Sequence, residues 1–531
     1  MNSDWQAITT QTATEHARFM AALRDPEAAQ TAQLLTILER ARHSQWGKRH
    51  GYGSIRTVAD YQARHAPTDY AELAEAMAAM RSGEQGVLTD EVVLFMETTA
   101  GSSGGAKYIP YTASSLAALQ RGLYPWLHDL LQHHPDICRG RTYWAISPPL
   151  RSRQATAPVP LGIANDALYF GEALADKLSR LMIVPEASGS DSFADWRLAT
   201  LLALLRSRDL AFISVWSPTF LTDLLRWLEA NPAPCLDALR RAGETARATE
   251  LETLLVTAPL DTHCVWPQLA LISCWTQGSA KQFLPDLQRY FPHLHIQGKG
   301  LLATEGMVTL PLCAAEAPVL ALHSGFYEFI DAEGRVLTCQ ELEQDASYEV
   351  LLTTAAGLYR YRLGDRVRVR GWLEATPMLD FVGRAGLVSD LCGEKLDEAF
   401  VCRALQAQDN TVAVSGFAML LPCTAPRGYV LVLDAAMWSD AGAVQYARTV
   451  EERLRANPQY ALARELGQLQ ALRPHRVSRP WVRYRDFLLT QNRRLGDIKP
   501  PVLGLHPELA AIFALQPAQT DTACTAETEQ G

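Results

Sequence analysis

At 531 residues the chain is too long for one ordinary hydrophobic core, so two or more domains are expected. It is 48% hydrophobic and 20% charged, the pattern of a soluble globular protein, and 49 basic against 58 acidic residues leave a net charge of −9. No Lys/Arg block offers a nucleic-acid surface, so any anionic ligand must meet positive groups placed locally.

Ten cysteines are scattered from Cys138 to Cys524 without a C-x-x-C pair, which reads as buried thiols in a reducing compartment. Met1–Thr10 lacks the basic-then-apolar pattern of a secretory leader. The most apolar window, Leu201–Trp216, is broken by Arg206, Arg208 and Asp209, so no membrane span or membrane partner is expected, and the cytoplasm is the expected location.

In chain order, Leu34, Leu35, Ile37 and Leu38 predict an amphipathic helix over 33–45, closed by a Gly51-Tyr52-Gly53 turn. Val92–Met96 predicts a buried strand running into Thr98-Thr99-Ala100-Gly101-Ser102-Ser103-Gly104-Gly105. A long helix is expected from near Ser114, kinked at Pro125. Residues 196–229 read as helix, strand, helix; Phe326–Ile330 and Tyr348–Thr353 read as strands. Gly357–Gly371 alternates as a hairpin or meander with one wet face. Beyond Phe381 a helix at 396–408, strands near 411–422 and 428–434 and a helix at 441–456 predict a small α+β unit. The polar tail, 517–531, is expected to be disordered.

Three segments carry candidate chemistry. The Gly/Ser stretch 98–105, followed by Lys107, has the small residues, hydroxyls and charge that let backbone N–H groups approach phosphate; a plain surface loop is the alternative. It is not a Walker A loop, because Ala106 and Tyr108 flank the lysine. Gly101-Ser102-Ser103-Gly104-Gly105 also matches a hydrolase nucleophile elbow, but Pro110 disfavours the helix that must follow. Next, Thr304 could contact phosphate and Glu305 could hold Mg²⁺, against the alternative of a helix N-cap with Glu in its first turn. Third, Tyr359-Arg360-Tyr361-Arg362-Leu363-Gly364-Asp365 ends in a turn whose acceptor-only Asp365 suits a ribose diol. Among His pairs, His133-His134 and His293-x-His295 have no evident Cys or carboxylate partner at ligand spacing, which argues against ATP-independent metal chemistry.

In this order the three segments resemble the adenylate-forming superfamily, and more closely the plant auxin-inducible acyl-acid amido synthetases and their bacterial relatives. Leu34–Ile55 with Trp46-Gly47 and His50-Gly51-Tyr52, Val265–Leu269 through Gly278-Ser279 and Tyr290, Ala356–Asp365 and Gly393-Glu394-Lys395-Leu396-Asp397-Glu398 carry the likeness. It departs where Ala303 and Thr304 replace two serines, where Leu301 replaces a common Tyr, and at Asp497-Ile498-Lys499-Pro500-Pro501, which matches only loosely.

The resemblance implies an α/β fold: a large multi-sheet adenylate-forming domain over 1–382, a smaller hinged α+β lid over 383–516, and a hinge near Phe381–Arg384. It implies ATP and Mg²⁺ as cofactors, and a carboxylic acid and an amine, most simply an amino acid, as substrates. Thr98, Thr99, Ala100, Gly101, Ser102, Ser103 and Gly104 would wrap the triphosphate; Thr304 and Glu305 would face adenine, phosphate and Mg²⁺. Asp365 would hold the ribose with Tyr359 or Tyr361 nearby, and Lys395, with Lys499 its competitor, would reach phosphate. Arg121 and Tyr124 on the long helix are acyl-pocket candidates, with a solvated face as the alternative for Arg121. A thioester-forming acyl-CoA synthetase and a silent adenylate-binding protein are the rival readings. The sequence leaves the acid, the amine, its base and the oligomeric state open.

Overall fold

The computed structural model describes residues 2–100, 106–144, 158–163, 166–186, 193–256, 260–384, 386–406, 416–491, 498–499 and 501–515. The chain divides into two compact units, Met1–Ala385 with Asn492–Lys499, and Gly386–Gln491 with Pro500–Gly531. The tail expected to be disordered lies outside the described residues.

The first unit begins with helices whose starts are written in the sequence. Asn2, Asp25, Ser44, Thr57 and Asp69 each accept a hydrogen bond from a backbone N–H of the first turn, satisfying donors that have no partner within the helix. The expected amphipathic stretch falls on two of these helices, Pro26–Arg40 and Gln45–His50. Gly51 ends the second at φ 65, a left-handed conformation glycine adopts without a Cβ penalty.

Strands β1 (Phe95–Ala100) and β2 (Ala106–Tyr111) form an antiparallel hairpin. The strand therefore starts three residues later than the apolar run suggested; Val92 and Leu94 lie exposed ahead of it. The helix Ala113–His133 follows, capped by Thr112, and buries Leu123, Trp126, Leu127 and Leu130.

Four strands make a parallel sheet in sequential order: β3 (Arg141–Trp144), β4 (Leu210–Ser214), β5 (Leu271–Cys274) and β6 (His295–Gly298). Helices fill the crossovers, including Phe193–Arg206 and Pro218–Ala230 on either side of β4, as expected of the 196–229 stretch. Both central strands are buried along their whole length, which is why they read as unbroken runs of Leu, Ile, Ala, Phe and Ser rather than alternating. The window Leu201–Trp216 is thus part of a crossover helix plus β4, and among the described residues no helix is long and apolar enough to cross a membrane.

After a short hairpin, β7 (Leu302–Ala303) and β8 (Gly306–Met307), seven strands form an antiparallel sheet. They are β9 (Thr309–Leu310), β10 (Val319–Leu320), β11 (Phe326–Ile330), β12 (Val336–Leu337), β13 (Ser347–Thr353), β14 (Tyr361–Leu373) and β15 (Thr376–Arg384), in the order β12-β11-β13-β14-β15-β10-β9. Strand β14 alternates as expected: Tyr361, Leu363, Asp365, Val367 and Val369 are buried, while Arg362 and Arg370 are exposed.

Just before β14, Arg360 sits at φ 46 and sends its guanidinium inward. Its Nε and Nη2 each donate at 2.9 Å to the Glu328 carboxylate, and Nη1 donates to the carbonyls of Gln62 and His65. Arg360 is 4% and Glu328 1% exposed, so this fork is a fully buried ion pair joining β11, β14 and the N-terminal helices.

The second unit carries β16 (Val388–Ser389), β17 (Leu396–Asp397), β18 (Ala418–Thr424), β19 (Arg427–Asp434) and β20 (Arg473–Val477). Strands β18 and β19 pair antiparallel, and β20 returns parallel to β19 after the helices Asp440–Leu454 and Pro458–Glu465. Tyr429, Leu431, Leu433, Tyr446 and Val450 are at its core.

Candidate active site

The β1–β2 hairpin sets Thr98 opposite Tyr108 and Thr99 opposite Lys107, bracketing the loop. Thr98 is exposed and Thr99 half-buried; Ala100 is the last residue of β1. Gly101, Ser102, Ser103 and Gly104 lie outside the described residues. Contacts from β2 tie the hairpin to other elements. The Lys107 ammonium donates to the Tyr361 hydroxyl at 3.2 Å, with its Nζ 5.4 Å from the centre of the Tyr70 ring. The Tyr111 hydroxyl donates to the Thr304 carbonyl at 2.8 Å.

Thr304 and Glu305 form the two-residue turn between β7 and β8, where Leu302 faces Met307 and Ala303 faces Gly306. They do not begin a helix, so the N-cap alternative does not apply. Burial, together with the charge of Asp365, pushes the Glu305 carboxyl above its ordinary range, opposed by Arg384 and Lys107. Asp365 is 1% exposed and lies directly across the ladder from Arg384, whose Nε donates to its Oδ1 at 3.0 Å. Lys107, Tyr361, Glu305, Asp365 and Arg384 thus come from four chain segments and act on one another electrostatically.

Tyr359 and Tyr361, interchangeable in sequence, separate in structure. Tyr359 is fully buried against Tyr52 and His65, and its hydroxyl donates to the Leu88 carbonyl at 2.5 Å. Tyr361 is the one that meets Lys107.

The other sequence candidates have surroundings of their own. The Arg121 Nε donates to the His323 carbonyl at 2.9 Å, and the Tyr124 hydroxyl donates to the Phe170 carbonyl at 2.5 Å, so the scaffold holds both polar tips. Lys499 belongs to the first unit, with its Nζ 5.0 Å from the ring centre of Trp275 and 5.7 Å from that of Phe381. Lys395 belongs to the second unit and is exposed, at φ 45. Beside it the buried Glu394 carboxylate accepts from the Leu391 and Cys392 amides at 2.8 Å each and from the Tyr429 hydroxyl.

Sequence reasoning passed over the C-terminal edge of the parallel sheet. Trp144 ends β3, Trp216 follows β4, Trp275 follows β5 and Lys299 follows β6. The Lys299 ammonium donates to Ser214 Oγ at 2.8 Å and lies 5.1 Å from the Trp216 ring centre and 5.7 Å from that of Trp126. Trp126 is placed by its Nε1, which donates to Gln297 Oε1 at 3.1 Å. Only Trp216 and Trp275 carry a sequence sign, each following a fully buried strand; Lys299 follows His295–Gly298, which is neither apolar nor wholly buried, so nothing local marks it.

One trio among the described residues, Asp129, His133 and Cys313, brings metal-ligand atoms within 4.8 Å of one another. The Cys313 amide donates to Asp129 Oδ2 at 2.6 Å, and His133 Nδ1 lies 2.9 Å from the Asp129 carbonyl. These bonds occupy His133 Nδ1 and one Asp129 carboxylate oxygen and tie the three residues together.

Comparison with known proteins shows the family of the chain. The sequence profile of the GH3 family N-terminal domain matches residues 15–296, and that of the GH3 family central domain matches residues 318–384. The chain belongs to the GH3 family. A relative from Oryza sativa subsp. japonica named "Putative indole-3-acetic acid-amido synthetase GH3.10" is 22% identical over 414 residues, 73% of this chain and 84% of the relative. A solved structure, "AtGH3.15 acyl acid amido synthetase in complex with 2,4-DB", superposes with a TM-score of 0.82 at 18% identity, covering 94% of this chain and 95% of that one. A 2-hydroxyisobutyryl-CoA ligase in the postadenylation state superposes with a TM-score of 0.55 at 11% identity, covering 91% and 90%. This GH3 chain therefore has the fold shared by acyl-acid amido synthetases and other adenylate-forming enzymes.

Proposed function

We propose that this chain is an ATP-dependent acyl-acid amido synthetase. It adenylates a carboxylic acid, releasing pyrophosphate, and transfers the acyl group to an amine, most simply an amino acid, releasing AMP. The observation that carries the reading is the cluster of Lys107, Thr304–Glu305, Tyr361 and Asp365–Arg384 at the base of the glycine-rich loop, in a chain of the GH3 family.

The reaction explains the site. A carboxylate is a poor electrophile towards amines, and both the acid and the triphosphate are anionic, so positive charge must be supplied where they meet. Thr98, Thr99 and the Gly/Ser loop would receive the triphosphate, with Lys107 at the loop's exit. Asp365, its orientation fixed by Arg384, would accept from the ribose hydroxyls. Glu305 suits Mg²⁺: its carboxyl is disfavoured as an anion by burial and by Asp365, and a hard divalent cation relieves both. Bound there, Mg²⁺ would offset phosphate charge as the acid attacks. For the adenylation lysine, the association of Lys499 with the first unit, over Trp275 and Phe381, supports Lys499. Lys395, which the resemblance offered as the phosphate lysine ahead of Lys499, would then serve the amide-forming half-reaction.

The test is a pyrophosphate-release screen across aromatic and aliphatic acids, indole-3-acetate included, followed by mass spectrometry with pooled amino acids and coenzyme A both present. Acid-dependent pyrophosphate release and an N-acyl amino acid are expected. A dominant thioester would make the chain an acyl-CoA synthetase; no release with any acid would remove the enzymatic reading.

A further inference from the structure

Lys299 is a cation without an anion. Its ammonium is held by one neutral hydroxyl, Ser214 Oγ, and faces the rings of Trp126 and Trp216. Among the described residues no carboxylate pairs with it, and the buried Cys274 thiol is the one titratable group whose charge acts on it. A desolvated charge left unpaired costs stability, and such groups concentrate at sites that bind a charged ligand. Its address fits: it directly follows β6 on the C-terminal edge of a parallel sheet, the edge at which open α/β sheets bind ligands.

The surroundings define what that ligand is. Trp126 and Trp216 flank the ammonium and Trp275 stands 5.7 Å from Trp216, centre to centre, so the surface beside it is flat and aromatic. Lys299 lies in the same unit as the groups assigned to ATP and Mg²⁺, five residues upstream of Thr304, and its own partners, Ser214, Trp126 and Trp216, differ from theirs.

We propose that Lys299 is a specificity residue: it is the counter-ion for a second anionic group on the acid substrate, and the substrates are aromatic acids whose planar body packs on the tryptophans while a further carboxylate meets the ammonium. This rests on the amido synthetase reading only in taking the acid to occupy this edge. The carboxylate that is adenylated is a different one, directed towards the Glu305 side.

The experiment is calorimetric titration of the full chain with benzoate and with 3- and 4-carboxybenzoate, on the wild type, Lys299→Met and Lys299→Arg. The wild type is expected to bind at least one dicarboxylate on the order of ten- to a hundredfold tighter than benzoate, the worth of one charge-assisted hydrogen bond. Lys299→Met is expected to collapse that ratio to near one, and Lys299→Arg to restore part of it. Equal loss for benzoate and dicarboxylates in Lys299→Met, a wild type without the preference, or binding of none of the three acids overturns the proposal. Pyrophosphate release, measured separately, tests the other reading. Selective binding without turnover would sink the synthetase assignment and leave this one standing, and turnover without the preference would do the reverse.

Discussion

Burial acts on Glu305 and Lys299 in opposite directions, because it penalises whichever form is charged. The Glu305 carboxyl is raised, so it takes up a proton at a pH where an ordinary glutamate is still ionised. Mg²⁺-dependent pyrophosphate release should therefore fade on the acid side earlier than an unperturbed carboxylate would dictate. Glu305→Gln should weaken the Mg²⁺ dependence while a thermal melt stays close to wild type; an unchanged Mg²⁺ titration in that variant refutes the metal assignment. Lys299 is lowered from 10.5 to about 8. Between those values the unfolded chain holds the extra proton, so the charge costs stability in full below about pH 8 and the cost is relieved progressively as pH rises from about 8 to 10.5. Lys299→Met should accordingly raise the melting temperature at pH 7, by the equivalent of ~1–3 kcal/mol, with the gain shrinking towards pH 10. A less stable variant at pH 7 would mean that Lys299 is structural. The segment that ends in Asp365 could be singled out in sequence because its motif is local, although its pairing with Arg384 could not. Lys299 could not be singled out: its tryptophans are drawn from distant positions, and only the sheet brings them to one edge.

At the scale of elements, the Arg360–Glu328 fork fixes how β14 enters its sheet. Removing one partner strands the other as a buried charge, so Arg360→Met or Glu328→Gln should each cost ~3–5 kcal/mol in denaturant unfolding. The double replacement Arg360→Met, Glu328→Met should recover much of that, since neither charge remains; additive losses would show the pair to be favourable on its own account. Strand β14 itself was readable because alternation of Val and Arg reports a sheet with one wet face. Arg360 fell within that alternation and still turned inward, at φ 46, which no period of two conveys. The Thr304–Glu305 turn was equally silent: it lacks the Asn-Gly or Asp-Gly pair that marks most two-residue hairpins, and Thr followed by Glu reads as well as a helix start. Val92 and Leu94 misled in the other direction, being apolar yet exposed ahead of β1.

At the scale of the whole molecule, the two half-reactions are assigned to lysines from different units. Lys499→Ala should lower acid-dependent pyrophosphate exchange on the order of 10²–10³-fold, the usual cost of removing a group that stabilises transition-state charge. Lys395→Ala should spare exchange and slow amide formation from supplied acyl-adenylate. The opposite pattern would reverse the assignment. The small α+β unit could be read from its helix and strand spacing, whereas the return of Lys499 to the larger unit could not, since nothing local marks it. That return has a consequence for biosynthesis. Translation proceeds from the N-terminus, so Trp275 and Phe381 are made early, while the lysine that lies over them is made only after residues 386–491. A ribosome that stops at the unit boundary releases a chain with its glycine loop, its Glu305 turn and the edge proposed to bind the acid, but without the cation proposed for adenylation. On the roles proposed for these residues, binding groups are synthesised before the reacting cation.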